Sequence, residues 1–135
     1  MRAVLDPNVL ISGLLSPSGA PAALLSSWQR GRFELVVSPM LIEELRRALA
    51  YPKLRRRIPA EDAIAAETWL AAAATHADDP TGDPPVRSDD PGDEYLIALA
   101  AAHHAALVSG DRHLLALSGS IPVYSAREFL DALPA

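Results

Sequence analysis

The sequence predicts an α/β fold in which a parallel sheet of four to five strands is covered by helices on both faces. Four short apolar runs, at 2–5, 33–37, 106–109 and 121–124, alternate with stretches whose apolar residues recur at helical spacing. Strands that are apolar throughout and separated by helices are typical of a buried parallel sheet. The chain has 135 residues and half of them are hydrophobic, so we expect a single domain over residues 1–135.

Local signals justify the elements of the N-terminal half. Ser38 is a good N-cap residue, and Pro39 suits the first position of the helix that follows. In that helix Glu44 shares a face with Leu41 and Leu45, because residues three and four apart are neighbours on a helix. The elements predicted here are, in order, a strand over 2–5, helices over 8–15 and 20–30, a strand over 33–37, and a helix over 40–50 that ends before Pro52.

The C-terminal half contains one long loop, which is rich in proline, glycine and aspartate. We see no domain boundary in this loop, because the part beyond it is too short to fold separately. Ser125 is expected to cap the last helix. The elements predicted here are, in order, a helix over 59–76, the loop over 78–92, a helix over 93–104, a strand over 106–109, a short helix over 112–117, a strand over 121–124 and a helix to about 133.

Composition narrows the functional classes. The formal net charge of −5 and the pI of about 5.2 count against a nucleic-acid partner, unless divalent cations reverse the charge of a local acidic site. There is no cysteine, so thiolate metal sites and disulfides are excluded. No apolar run is long enough for a signal peptide or a membrane helix, so we expect a cytoplasmic protein without a membrane partner.

Acidic residues fall where a parallel sheet would gather them. Asp6 and Asp111 each follow a predicted strand, and ligands bind at the carboxyl ends of strands in such sheets. Glu44 and Asp93 lie on helices expected beside those ends. Carboxylates that converge repel one another unless cations lie between them, and oxygen ligands favour Mg²⁺ or Mn²⁺. These four residues therefore predict a metal site able to activate water against a phosphodiester.

Four segments resemble the PIN-domain family, and more closely its branch of toxins from toxin–antitoxin pairs. They are Asp6-Pro7-Asn8-Val9-Leu10, Ser38-Pro39-Met40-Leu41-Ile42-Glu43-Glu44-Leu45, Asp90-Pro91-Gly92-Asp93-Glu94-Tyr95-Leu96 and Ser109-Gly110-Asp111. The resemblance covers nearly the whole chain and keeps the order and spacing of the segments. It implies a three-layer, Rossmann-like α/β/α sandwich and an Mg²⁺- or Mn²⁺-dependent endoribonuclease. It also implies a homodimer and inhibition by a small antitoxin protein.

The resemblance also assigns roles to residues. By it, the catalytic acids are Asp6, Glu44, Asp93 and Asp111, and the accessory polar residues are Asn8 and Ser109. Asp6, Asp93 and Asp111 are expected to ligate the metal, while Glu44 completes the cage or positions the attacking water. In-line attack on RNA would leave a 3′-hydroxyl and a 5′-phosphate.

One departure from the family pattern supports a rival hypothesis. Pro7 occupies a position at which the family usually has threonine or serine, so a hydroxyl and a backbone donor are lost. Together with the acidic pI, this favours a catalytically weak or inactive module that binds a partner protein or RNA. A phosphatase with an aspartyl nucleophile is a third hypothesis, but it requires an acid where Asn8 stands.

Neighbouring acids compete with two of the predicted site residues. Glu43 is adjacent to Glu44, and the helical phase favours Glu44. Asp93 competes with Asp89, Asp90 and Glu94, and Asp90 is better interpreted as a turn residue before proline.

The remaining candidates have simpler structural interpretations. His103 and His104 end a helix, where a protonated imidazole suits the helix dipole. His113 is a weak candidate for substrate contact. The run 55–57 (Arg-Arg-Arg) is interpreted as a solvated face, with contact to RNA phosphates or an antitoxin as the alternative. Trp28 and Trp69 are expected in the core or at a dimer interface.

Overall fold

A five-stranded, all-parallel sheet runs through the protein, whose computed structural model describes residues 1–134. The strands are β1 (Arg2–Leu5), β2 (Glu34–Val37), β3 (Thr75–His76), β4 (Ala106–Val108) and β5 (Val123–Tyr124). Their order in the sheet is β3-β2-β1-β4-β5. Helices flank the sheet, so the predicted three-layer α/β/α fold is confirmed.

The helices agree with the predicted ones except at their ends and at one added turn. They are α1 (Pro7–Leu15), α2 (Ala20–Gln29), α3 (Pro39–Leu49), α4 (Pro52–Arg55), α5 (Ala60–Ala73), α6 (Glu94–Ala102), α7 (Arg112–Leu115) and α8 (Ala126–Ala132). The side chains of Ser38 and Ser125 cap α3 and α8 as predicted. A 3-10 turn, Pro91–Asp93, precedes α6, so Asp93 lies just before this helix rather than within it.

The prediction for residues 50–77 was wrong at two points. The helix predicted to reach residue 76 ends at Ala73, and Thr75 and His76 instead pair with Val36 and Val37 of β2. A strand of two exposed residues has too little pattern to be detected, and only its neighbour stabilises it. The helix α4 was also missed, because four residues carry no helical periodicity.

The core is one cluster of buried apolar side chains on both faces of the sheet. The last three residues of β1 and of β2 are inaccessible or nearly so, which explains their unbroken apolar sequences. In the layer of helices, Leu41, Leu45 and Leu49 of α3 are buried, while Arg46 and Arg47 are exposed. The helix therefore turns the side that carries Glu44 inward.

The order of the strands decides where a site can form. From β1 the chain proceeds to β2 and β3 on one side, and it returns to add β4 and β5 on the other. The junction between β1 and β4 is therefore a topological switch point, where ligands bind in sheets of this kind. Asp6 directly follows β1, and residues 109–111 follow β4. The backbone N–H of Asp6 extends the pairing by donating to the carbonyl of Val108 at 2.9 Å.

No single helix among residues 1–134 is long and apolar enough to cross a membrane. The pair α1 and α2, bent by 96°, meets the criteria of length and composition only when counted together.

The close contact between α1 and α2 depends on Gly13. A Cβ atom at this position would lie 2.6 Å from Leu25 Cδ1 and 3.0 Å from the carbonyl oxygen of Pro21, both in α2. The first of these distances is too short for any real contact, and the second involves backbone that cannot easily shift. This crossing matters to the site because α1 begins directly after Asp6.

We predict that Gly13→Ala lowers the free energy of unfolding. The higher helix propensity of alanine contributes about 1 kcal/mol, but overpacking against α2 costs about 1–3 kcal/mol. Gly119→Ala is the matched control, because a Cβ there meets nothing within 4 Å. Urea denaturation of both variants measures the difference. A Gly13→Ala protein more stable than the wild type would contradict this account of the crossing.

Candidate metal centre

A buried serine joins the ends of β1 and β4. The Ser109 hydroxyl donates to Asp6 Oδ2 at 2.8 Å, and its oxygen accepts the backbone N–H of Asp111 at 3.0 Å. The other oxygen of Asp6, Oδ1, accepts the N–H of Asn8 at 3.0 Å, so Asp6 also caps α1. Asp6 is only 5% exposed and Ser109 is fully buried. The orientation of Asp6 is therefore set by the chain on both sides of the switch point.

Three aspartates converge beside this pair of strand ends. Asp90, Asp93 and Asp111 each have a carboxylate oxygen within 4.8 Å of the others, which is close enough to share one cation. Asp93 Oδ2 is buried and has no hydrogen-bond partner among the described residues. A buried carboxylate oxygen without a partner is costly, and it is the atom that a metal ion would satisfy.

Burial and mutual repulsion perturb the titration of these acids. Burial, followed by the neighbouring Asp111 carboxyl, raises the pKa of Asp93 from 3.8 to about 7, and Asp90 and Asp6 add to the effect. Burial also raises the pKa of Asp6, against the hydrogen bonds from Asn8 and Ser109, which lower it. Asp6 and Asp93 therefore retain a proton to higher pH than an isolated aspartate does.

The geometry separates Glu44 from Glu43. The Tyr95 hydroxyl of α6 donates to Glu44 Oε2, and Glu44 lies outside the group of aspartates that approach within 4.8 Å. Glu43 is exposed and pairs with Arg46 at 3.1 Å and with Arg47 at 3.8 Å on the outer face of α3. The helical phase read from the sequence therefore selected the inward-facing residue.

Asn8 and Pro7 lie at the start of α1. The Asn8 side chain is exposed, and Asn8 and Asp111 line the same cleft. Pro7 is buried at the first helical position, where an N–H would have no partner within the helix. The residue thus fits the fold, and its effect on the centre is limited to the missing hydroxyl and donor.

Three residues of this region were not predicted as site residues. Asp90 does form the turn expected of it, accepting the Gly92 N–H at 3.0 Å, but it also brings an oxygen to the cluster. Tyr95 orients Glu44. The sequence feature that could have indicated Tyr95 as a site residue is its position two residues after Asp93. Asp79 accepts the Met40 N–H at 2.9 Å at the start of α3, a contact across 39 residues that no local pattern indicates.

The other candidates have structural roles. The His113 N–H donates to Asp111 Oδ1 at 2.8 Å, while its half-exposed ring lies 3.7 Å from Asp89. His103 and His104 follow the end of α6. Trp28 and Trp69 pack against each other with ring centroids 4.8 Å apart, which confirms a core role for this pair.

Comparison with known proteins identifies the family. The model of the PIN domain matches residues 2–113, a range that contains every predicted site residue. The chain belongs to the PIN-domain family. An uncharacterized protein of Methanocaldococcus jannaschii is 26% identical to this PIN domain over 117 residues, which are 87% of this chain and 75% of that protein.

Two solved structures share the fold of this PIN domain. VapBC2 from Rickettsia felis, bound to a DNA fragment from its promoter, gives a TM-score of 0.61 at 13% identity, over 93% of this chain and 98% of the other. FitAcB from Neisseria gonorrhoeae gives a TM-score of 0.56 at 20% identity, with the same coverage. In both cases the shared arrangement of strands and helices covers 93% of this chain.

Without metal, the stability of the PIN domain should fall as the pH rises toward neutrality. The raised pKa of Asp93 means that the folded state binds more protons than the unfolded state between about pH 4 and pH 7, so the stability gained from protonation is lost across that range. Asp93→Asn removes the titrating group. In chelator, we expect this variant to be more stable than the wild type at about pH 8 and to lose that advantage toward about pH 5.

Thermal or urea unfolding of the two proteins across this pH range gives the difference profile. The histidines are common to both proteins and cancel in it. Parallel profiles for wild type and Asp93→Asn would show that Asp93 is not perturbed.

Proposed function

We propose that this PIN domain is a divalent-metal-dependent endoribonuclease that uses Mg²⁺ or Mn²⁺. The observation that carries the proposal is the convergence of Asp90, Asp93 and Asp111 within 4.8 Å, with a buried and unpartnered oxygen on Asp93. Asp6 adjoins this group through Ser109. Carboxylates this close together form a stable cluster only when protons or cations are bound between them. Membership of the PIN-domain family favours cations.

The donor set fits a hard divalent cation. Every donor is a carboxylate oxygen, and the chain has no cysteine to favour zinc or another soft metal. Asp6, Asp93 and Asp111 would hold the ion, and Asp90 is an additional donor. When bound, such an ion stabilises the charge that develops on a phosphodiester and lowers the pKa of water.

The residues of the chain supply orientation and a proton acceptor. Ser109 holds Asp6 and the backbone of Asp111 in register, so the two strand ends keep a fixed separation. Tyr95 occupies only Oε2 of Glu44, and Oε1 remains able to accept a proton from a water molecule that attacks in line. Breaking the bond between phosphorus and the 3′ oxygen of the RNA would leave a 3′-hydroxyl and a 5′-phosphate.

Two clefts that adjoin the centre support cleavage within a chain rather than from an end. One cleft of about 630 Å³ includes Glu44, Gly92 and Tyr95 in its lining. The other, of about 430 Å³, includes Asn8, Gly110 and Asp111. An RNA strand that occupied both clefts would extend past the aspartates.

A role as the toxin of a toxin–antitoxin pair is the biological form of this proposal. It is supported by the resemblance to the toxin branch and by the shared fold with VapBC2 and FitAcB, which are toxin–antitoxin complexes. The partners proposed are an RNA substrate, a small antitoxin protein and a second copy of the chain. A cytoplasmic location is part of the same proposal.

Substitutions at the centre should abolish cleavage of RNA. Asp6→Ala and Asp111→Ala each remove a proposed metal ligand, and Glu44→Gln removes the proton acceptor, so we expect a loss of at least about a hundredfold in rate. Glu61→Gln is the control, because Glu61 is an exposed acid at the start of α5, outside the centre and its clefts. Cleavage of labelled RNA with Mn²⁺ is the measurement. Full activity in Asp6→Ala or Asp111→Ala, in a clean preparation, would reject the mechanism.

Direct binding of Mn²⁺ distinguishes the nuclease from the rival hypothesis. Calorimetry should detect binding to the wild type and a sharp loss in Asp93→Asn, because a neutral amide replaces the carboxylate that carries the unpartnered oxygen. Pro7 and the net charge of −5 favour the second candidate, a module that binds a partner without catalysis. An absence of Mn²⁺ binding to the wild type would favour that candidate, and Pro7→Thr would then be the first reversion to test.

A further inference from the structure

The cleft that opens on Glu44 differs in chemistry from the acidic centre beside it. We call it the side cleft, and its lining residues are Pro39, Met40, Glu43, Glu44, Arg47, Ala48, Tyr51, Gly92 and Tyr95. Its volume of about 630 Å³ is within the range of sites that hold small organic groups. Gly92 lines the side cleft and lies in the turn between Asp90 and Asp93, so an occupant of the cleft reaches the turn that carries these aspartates.

Large apolar surfaces are exposed in the side cleft. Tyr51 is 65% exposed and Met40 is 50% exposed, and together they are two of the four large exposed hydrophobic residues in residues 1–134. The Tyr51 ring has no aromatic partner among the described residues. An exposed aromatic face beside a nuclease centre is suited to stack on an unpaired base.

A basic segment continues from the side cleft. Half of the twelve basic residues of this acidic protein lie between Arg46 and Arg57, and no acid occurs between Glu44 and Glu61. Lys53, Arg56 and Arg57 are exposed and make no ion pair in the part of the chain described by the structure. Tyr51 lies within this segment, and its carbonyl accepts the N–H of Arg55 at 2.9 Å.

The charges inside the side cleft favour a base over a phosphate. Glu43, Glu44 and Arg47 line it, and because two carboxylates face one guanidinium, which lies 3.8 Å from Glu43, the lining repels an anion. Glu43 can accept a hydrogen bond from the exocyclic amine of a base. The exposed basic side chains lie farther along, where repelled phosphates would be attracted. This arrangement favours single-stranded RNA over an acidic peptide, whose own carboxylates would be repelled by Glu43 and Glu44.

We propose that the side cleft binds one unpaired nucleotide of the RNA next to the cleaved phosphodiester. Its base stacks on Tyr51, and the phosphates that follow contact Arg56 and Arg57. The proposal rests on the proposed function and deepens it by requiring single-stranded RNA at the cleavage site.

Binding of a fluorescein-labelled single-stranded RNA of mixed sequence, measured by anisotropy in chelator, tests the stacking. Tyr51→Ala should weaken binding at least about fivefold, with an unchanged dependence on salt, because stacking is not ionic. Tyr51→Phe keeps the ring and should bind within about twofold of the wild type. Ile64→Ala, which removes an equally exposed side chain from α5, should have no effect.

Substitutions in the basic segment should instead change the dependence of RNA binding on salt, because phosphate contacts are ionic. The double variant Arg56→Gln/Arg57→Gln should lower the slope of log affinity against log salt by about 1.4, which corresponds to two phosphate contacts on a single strand. Arg30→Gln, at another exposed arginine, is the control and should leave the slope unchanged. In Mn²⁺, the Tyr51→Ala variant should show a raised KM for RNA cleavage.

The outcomes separate this inference from the proposed function. RNA binding that depends on Tyr51 and on the two arginines, in a protein that never cleaves RNA, would uphold the inference and reject the nuclease. RNA cleavage with an unchanged KM in Tyr51→Ala would reject the inference and uphold the nuclease. Equal RNA affinity in all variants, or tighter binding to double-stranded RNA, would overturn the inference and leave the side cleft to a protein partner.

Discussion

Repulsion among carboxylates at one end of a parallel sheet is the constraint on which the rest of this structure depends. Asp90, Asp93 and Asp111 approach within 4.8 Å, and burial together with the neighbouring Asp111 carboxyl raises the pKa of Asp93 to about 7. Such a cluster opposes folding unless rigid elements force it together. Here the force comes from the apolar strands β1 and β4, which pair because both are buried, and from Ser109, which joins Asp6 to the backbone of Asp111.

The chain separates its charges in a way that its net charge conceals. A value of −5 describes the entire molecule, yet the basic residues are concentrated over 46–57, and the aspartates of the centre come from other segments. Glu44 and Arg47, three residues apart on α3, line the same cleft, so acidic and basic side chains meet there. The helix α3 is thus the link between the proposed chemistry and the proposed binding of RNA.

Much of the candidate site could be predicted because its residues have local signals. Asp6 and Asp111 follow apolar strands, and the phase of α3 distinguishes Glu44 from Glu43. Asp90 shows where such reasoning stops. Its sequence context predicted a turn, and the structure has that turn. The same turn also brings the Asp90 carboxylate close to that of Asp93. Because the turn already explained why an aspartate stands there, nothing in the local pattern indicated a second role.

The sequence by itself determined the class of fold, most element boundaries and the residues at the strand ends, because burial on both faces and helical periodicity are properties of consecutive residues. Only the tertiary structure decided the order of the strands, the pairing of Thr75 and His76 with β2, and the contacts of Tyr95 with Glu44 and of Asp79 with α3. The pairing of Thr75 and His76 and the contacts of Tyr95 and Asp79 join residues that are 39 or more positions apart. Such contacts depend on how the elements pack, and local pattern carries no information about them.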